Sequence, residues 1–224
     1  MLLKQIIFLN IVKMFYFKRN PFFLRLWYKK SLLWRIPDAS DEVFLTFDDG
    51  PTPELTGPIL EILKKHEAKA TFFCVGENVQ RYPDIFKQIL AEGHGVGNHT
   101  FNHLNAWKTD EVIFLENTRK AAKLIPSKWF RPPYGKITPK LIRSLEPNYQ
   151  LVMWTVLSGD FDVTTNPDKC FDNATRQTKS GDILVFHDNV KAKTNVLEAL
   201  PKTLQHFRQL GIKVSALPLI SGEL

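Results

Sequence analysis

"LTFDDGP", residues 45–51, ends an apolar run with two adjacent carboxylates and a turn. Residues 43–47 read as a buried strand, and Gly50-Pro51 breaks it. Asp48 and Asp49 therefore stand where a strand stops. Asp-Gly-Pro is also ordinary turn chemistry, because Asp tolerates turns well. The stretch becomes informative because its arrangement recurs. Polar groups follow strand-like runs again in "GVGN-HTFNH", "WF-RPPYG", "MWTVLSG-D" and "ILVF-HD".

Strand-like runs fall at 43–47, 70–75, 129–130, 151–156, 183–186 and 212–214, with a short one at 95–97. Helical patterns lie between them at 54–66, 83–92, 109–124, 138–146, 167–178 and 196–210. Pro83 and Asp84 start one helix and Gly93 ends it. Repeated alternation of this kind predicts an α/β fold, with a parallel sheet that is open or closed into a barrel. In such folds the carboxyl ends of the strands share one face, and sites are built there. Residues distant in sequence are thus expected to converge.

The 224 residues are 44% hydrophobic, enough for one full core. The net charge of +7 is unevenly spread. Residues 1–37 hold eight Lys or Arg and no Asp or Glu, leaving 22 basic and 23 acidic residues in the rest. The basic character belongs to an arm, and a nucleic-acid partner is not expected. The arm is also aromatic. Residues 21–36, "PFFLRLWYKKSLLWRI", read as an amphipathic helix that either closes one end of the core or lies on a membrane surface. We expect any membrane-surface contact through residues 1–20. The uncharged run from Gln5 to Val12 is far shorter than the roughly 18 residues that span a bilayer. No small-residue cleavage site follows it, so a cytoplasmic or membrane-associated chain is expected. Cys74 and Cys170 sit in no metal or redox spacing.

"HTFNH" supplies His99 and His103. If residues 99–103 form a helical turn, both imidazoles lie on one face and can reach one metal. Two His and one carboxylate leave coordination positions open, the pattern of a catalytic zinc site. Adjacent side chains on an extended chain point apart. One acid can then face the ion while the other faces the reacting water, whose pKa a metal lowers. Arg131, on the stiff turn "RPPYG", can hold an acid ionised and oriented. His187 can act as an acid toward a leaving nitrogen, with Asp160 favouring the charged imidazole. His94, between glycines, reads as structural. Trp107 is either a sugar-stacking platform or a cover for the rim.

"TFDDGP", "HTFNH", "RPPYG", "SGDF" and "ILVFHD" occur in the order seen in the polysaccharide deacetylase family (the NodB-homology domain, carbohydrate esterase family 4). The chain resembles that family over about residues 40–216. The resemblance implies a single distorted (β/α) barrel with seven or eight parallel strands, occupying residues 38–224 after an arm of 1–37. It implies metal-dependent removal of acetyl groups from glycans by a monomer. Matched by motif, Asp48 resembles the base, Asp49, His99 and His103 the metal ligands, and Arg131 the residue orienting the base. The Tyr134 backbone N–H resembles the oxyanion donor, and His187 the acid tuned by Asp160. Pro133, Tyr134, Trp107, Phe161 and Val185 are the expected substrate wall. Phe161 replaces the family's common Trp, and Val185 its common Leu. The implied cofactor is a divalent metal, Zn2+ first, with Co2+, Ni2+ or Mn2+ as alternatives.

N-acetyl removal from a peptidoglycan- or chitin-like glycan is the leading expectation. O-acetyl ester cleavage and small-molecule amide hydrolysis use the same fold. An Fe(II) oxygenase would share the ligand set but has no use for the paired Asp, Arg and His. A non-catalytic glycan-binding protein would need neither base nor acid.

Overall fold

A computed structural model describes residues 31–220. Among the described residues nine strands form one sheet: β1 (Leu32–Leu33), β2 (Glu42–Asp48), β3 (Thr71–Cys74), β4 (Gly95–Asn98), β5 (Trp129–Phe130), β6 (Gln150–Val152), β7 (Val156–Leu157), β8 (Ile183–His187) and β9 (Lys213–Ser215). Their order is β1-β6-β5-β4-β3-β2-β8-β7, with β9 also on β2, and all pairings are parallel. β3 pairs with residues 46–48 of β2 and β9 with residues 42–44, while β8 takes the opposite edge. Nine strands therefore occupy eight lanes.

The helices are α1 (Thr56–Lys65), α2 (Gly76–Arg81), α3 (Pro83–Ala91), α4 (Glu111–Ala122), α5 (Pro139–Leu145), α6 (Pro167–Thr175) and α7 (Lys193–Gln209). α4 starts where the Asp110 carboxylate accepts from the N–H groups of Val112 and Ile113. α5 and α6 start on Thr138 and Asn166 in the same way, each followed by Pro at the first helical position. Among the described residues no helix is long and apolar enough to cross a membrane.

The sequence predicts one strand over 151–156, but it is broken in two. Met153 N–H donates to the Leu33 carbonyl and Thr155 N–H to the Ile183 carbonyl. The chain thus leaves β6, beside β1, and joins β7, beside β8. Those lanes lie at opposite ends of the sheet. Four peptide steps reach at most about 14 Å, so the two ends must curl together into a distorted barrel.

Residues 31–36 correct the helix expected over 21–36; residues 21–30 and the arm's first twenty lie outside the described residues. Leu32 and Leu33 are strand, paired with Leu151 and Val152. Ile36 N–H donates to the Gly181 carbonyl, and Arg35 bridges to Asp182. Over residues 32–34 the burial alternates: Leu32 and Trp34 pack with Phe130 and Leu151, whereas Leu33 packs with Val152 and Ile183. That alternation suits a strand. The sheet therefore includes residues before 38.

The same alternation sorts β2. Val43, Leu45 and Phe47 face the helices in a core with Ile59, Leu60 and Leu200. Phe44 faces inward with Phe73, Trp129 and Ile183. Thr46 and Asp48 continue that inner row toward the strand's carboxyl end.

Candidate active site

The inner rows deliver the site. Asp48 ends β2 and lies in register with Phe73 of β3 and His187 of β8. Arg131 follows β5 two residues after inward-facing Trp129. Its guanidinium, wholly buried, donates to Asp48 Oδ1 at 2.6 Å and Thr46 Oγ1 at 2.8 Å. It also donates to the Met153 carbonyl at 3.1 Å and stacks over Phe73 at 4.1 Å. A buried cation needs such saturation, and Arg131 has it. Asp48 is thereby fixed on one oxygen.

Asp49 turns away, through the turn itself rather than the strand's pleat. Its φ is 88°, so the backbone leaves the strand at this residue. Asn78 Nδ2 donates to the Asp49 carbonyl at 2.8 Å. Gly50 follows because a Cβ there would lie 1.8 Å from Asp188 Oδ2. Asp188 accepts from Gly50 N–H at 2.8 Å and Thr56 Oγ1 at 2.7 Å, tying the loop to the end of β8.

Asp49 Oδ1 faces His103 Nε2 at 3.0 Å and His99 Nε2 at 3.6 Å. The helical turn expected at 99–103 does not form. Thr100 and His103 have φ of 64° and 54°. The loop is held by side chains instead: Asn98 Oδ1 accepts from Thr100 N–H, and Asn117 Oδ1 from the N–H groups of Phe101 and Asn102. These polar clamps outcompete helical hydrogen bonding. The imidazoles still meet, with centroids 5.0 Å apart.

Both rings are oriented for ligation. His99 Nδ1 lies 2.7 Å from the Arg131 carbonyl, which can only accept, so the proton is on Nδ1 and the Nε2 lone pair is free. His103 Nδ1 lies 3.2 Å from the Tyr134 hydroxyl, leaving its Nε2 for the same centre. In their charged form the same rings donate through Nε2 instead: burial pushes the Asp49 carboxyl up, but hydrogen bonds from protonated His103 and His99 and the charge of His187 outweigh it. The carboxyl is held well below its ordinary value. Three donor atoms, one each from Asp49, His99 and His103, lie within 4.8 Å of one another. A tetrahedral zinc with bonds of 2.0–2.1 Å has ligand–ligand edges of about 3.3–3.4 Å. The 3.0 and 3.6 Å separations bracket that value, so the donor set fits a divalent ion.

Across from these ligands, His187 Nδ1 binds Asp160 Oδ1 at 2.8 Å, and His187 N–H donates to Asp160 Oδ2 at 2.7 Å. Ser158 Oγ donates to the same carboxylate. Burial lowers the imidazole's pKa, but the Asp160 charge and hydrogen bond, with Asp49 and Asp48 nearby, carry it up to about 9. Phe161 packs edge-on against this ring at 4.8 Å.

Tyr134 has φ of 62° inside the 3₁₀ turn Pro133–Gly135. Its N–H, second in that turn, has no intrahelical acceptor. The Tyr134 side chain is 58% exposed and lies beside His103. Trp107 is 65% exposed, its Nε1–H fixed to the Ile137 carbonyl at 3.2 Å. Two expected wall residues differ. Pro133 is buried and shapes the turn. Val185 is 1% exposed, in the inner row beneath His187, and offers a ligand no surface. His94 is structural: its Nδ1 accepts from Ala70 N–H, and burial pushes its pKa down to about 4.

Sequence reasoning missed Asn78, Asp188 and Asn189. Asn189 Nδ2 donates to Asp49 Oδ2 at 2.6 Å. For the last two the signal is position, since Asp188 and Asn189 directly follow the strand-end His187.

Residues 35–149 match the family described as polysaccharide deacetylase. A peptidoglycan-N-acetylglucosamine deacetylase of Bacillus cereus is 36% identical over 189 residues, 80% of this chain and 88% of the relative. A chitooligosaccharide deacetylase of Azorhizobium caulinodans is 32% identical over 165 residues, 69% of this chain and 77% of the relative. The crystal structure of the Bc1960 peptidoglycan N-acetylglucosamine deacetylase, in complex with 4-naphthalen-1-yl-N-oxidanyl-benzamide, has a TM-score of 0.79 at 31% identity. The match covers 89% of this chain and 95% of that one. The chain therefore belongs to the polysaccharide deacetylase family, hydrolases that act on carbon–nitrogen bonds other than peptide bonds.

Proposed function

We propose that this chain removes N-acetyl groups from N-acetylglucosamine units of a peptidoglycan- or chitin-like glycan, using a divalent ion, zinc first. The observation that carries the reading is the opposite partnering of two adjacent acids. Asp48 is gripped by Arg131, whereas Asp49 faces the Nε2 atoms of two imidazoles. Named relatives that act on peptidoglycan N-acetylglucosamine and on chitooligosaccharides support the substrate class.

Held by Asp49, His99 and His103, the ion would polarise the acetyl carbonyl and acidify a water. Asp48 takes the water's proton as its oxygen adds to the carbonyl carbon. Arg131 keeps the receiving carboxylate in place. The Tyr134 N–H stabilises the negative charge that develops on the carbonyl oxygen. His187, charged through Asp160, gives a proton to the amide nitrogen as the C–N bond breaks. The products are acetate and a free amine. Tyr134, Trp107 and Phe161 offer aromatic surface to the sugars on either side.

Acetate release should be measured on chitooligosaccharides, intact peptidoglycan and acetylxylan in parallel. Faster release from the N-acetylated glycans is expected. Release from acetylxylan alone would make the protein an ester hydrolase.

A further inference from the structure

We infer that Asn189 is a positioning residue for the metal carboxylate: its amide holds Asp49 Oδ2 and so restricts Asp49 to binding an ion through Oδ1 alone. This inference rests on the metal-site reading above.

The amide's orientation is fixed by its two partners. Asn189 Oδ1 accepts from Ala192 N–H at 3.1 Å, capping the 3₁₀ turn Val190–Ala192. A backbone N–H can only donate, so that atom must be the oxygen. The nitrogen is therefore the atom 2.6 Å from Asp49 Oδ2. Asp49 Oδ1 is left facing His99 and His103. A carboxylate free to rotate can offer both oxygens and take two coordination positions. With Oδ2 engaged it takes one, leaving room for the water and the acetyl oxygen. Partners that hydrogen-bond to ligating carboxylates typically matter 10–100-fold for metal affinity.

The placement also sets the ligand against the acid. His187, Asp188 and Asn189 are consecutive at the end of β8. The first binds Asp160, the second clasps Gly50 and Thr56, and the third holds Asp49. One short rigid segment thus fixes the proton donor and the metal carboxylate in a common frame.

Asn189 also caps a turn, so the test must separate the two roles. Ser and Gly both serve well at N-caps, but neither reaches Asp49. Asn189→Ser and Asn189→Gly should be compared with the wild type in three measurements: melting temperature without metal, Co2+ affinity by chelator competition, and the visible absorption of bound Co2+. Unchanged metal-free melting is expected in at least one variant, with Co2+ affinity lowered roughly 10–100-fold. A weaker absorption band is also expected as the coordination number rises. Wild-type affinity and absorption in both variants would overturn the inference. So would an affinity loss that appears only together with lost metal-free stability, since capping would then suffice. Failure of the wild type to bind Co2+ would overturn the metal site itself, a result distinguishable from these.

Discussion

His187 is a partly buried imidazole hydrogen-bonded to Asp160, and that pairing makes it pH-dependent. Its folded pKa is raised from 6.5 to about 9. The pair's contribution is therefore complete below pH 6.5 and is lost as pH rises through about 9. The shift corresponds to about 3 kcal/mol. Urea unfolding of the metal-free protein between pH 6 and 10 should show that decline, and Asp160→Asn should flatten it. The same substitution should move the alkaline limb of kcat/KM to lower pH, because the acid loses its proton sooner. An unchanged limb would detach Asp160 from the acid role.

At the scale of elements, the strand-to-loop junction after β2 depends on the absence of a side chain at Gly50. In Gly50→Ala the new methyl would displace the Asp188 carboxylate and its bonds to Gly50 N–H and Thr56. A loss of about 2–4 kcal/mol is expected by urea unfolding, with a fall in kcat as Asp49 shifts. Gly57, in the first turn of α1, has open space around its Cβ position. Gly57→Ala should be neutral or stabilise by up to about 1 kcal/mol. Such junctions also divide what the sequence revealed from what it hid. Strand ends carrying Asp48, Arg131 and His187 were legible because a short apolar run marks a buried strand and a polar group after it marks its end. The pairing of His99 with His103 was legible, but its geometry was not. Two left-handed residues and the Asn98 and Asn117 side chains shape that loop, and neither has a periodic signature. β1 was hidden because "SLLWRI" is apolar enough to satisfy helical and strand periods alike, and only its pairing with β6 decides. Asn189 was hidden because an amide after a strand reads as a turn residue until its partner is known.

For the whole molecule, charge is unevenly spread along the chain. Residues 1–30 hold seven Lys or Arg and no acid, and the remainder holds 23 of each sign. The full chain is expected to bind anionic vesicles in a salt-sensitive way, and residues 31–224 are not. Equal binding by both in a co-sedimentation assay would remove the arm from the account. A chain starting at residue 37 should also melt below one starting at 31, because it lacks β1 and buried Trp34. The barrel itself gathers the ends of β2, β4, β5 and β8 at one place and gives neighbouring acids unlike partners. The most direct test of that claim is bound metal and acetate release, measured together on Asp48→Asn and Asp49→Asn. Asp48→Asn should keep its metal while turnover falls by roughly 10²–10⁴-fold, and Asp49→Asn should lose the metal itself. Equal metal loss in both, or metal and turnover retained in Asp49→Asn, would contradict the division of labour between the two acids.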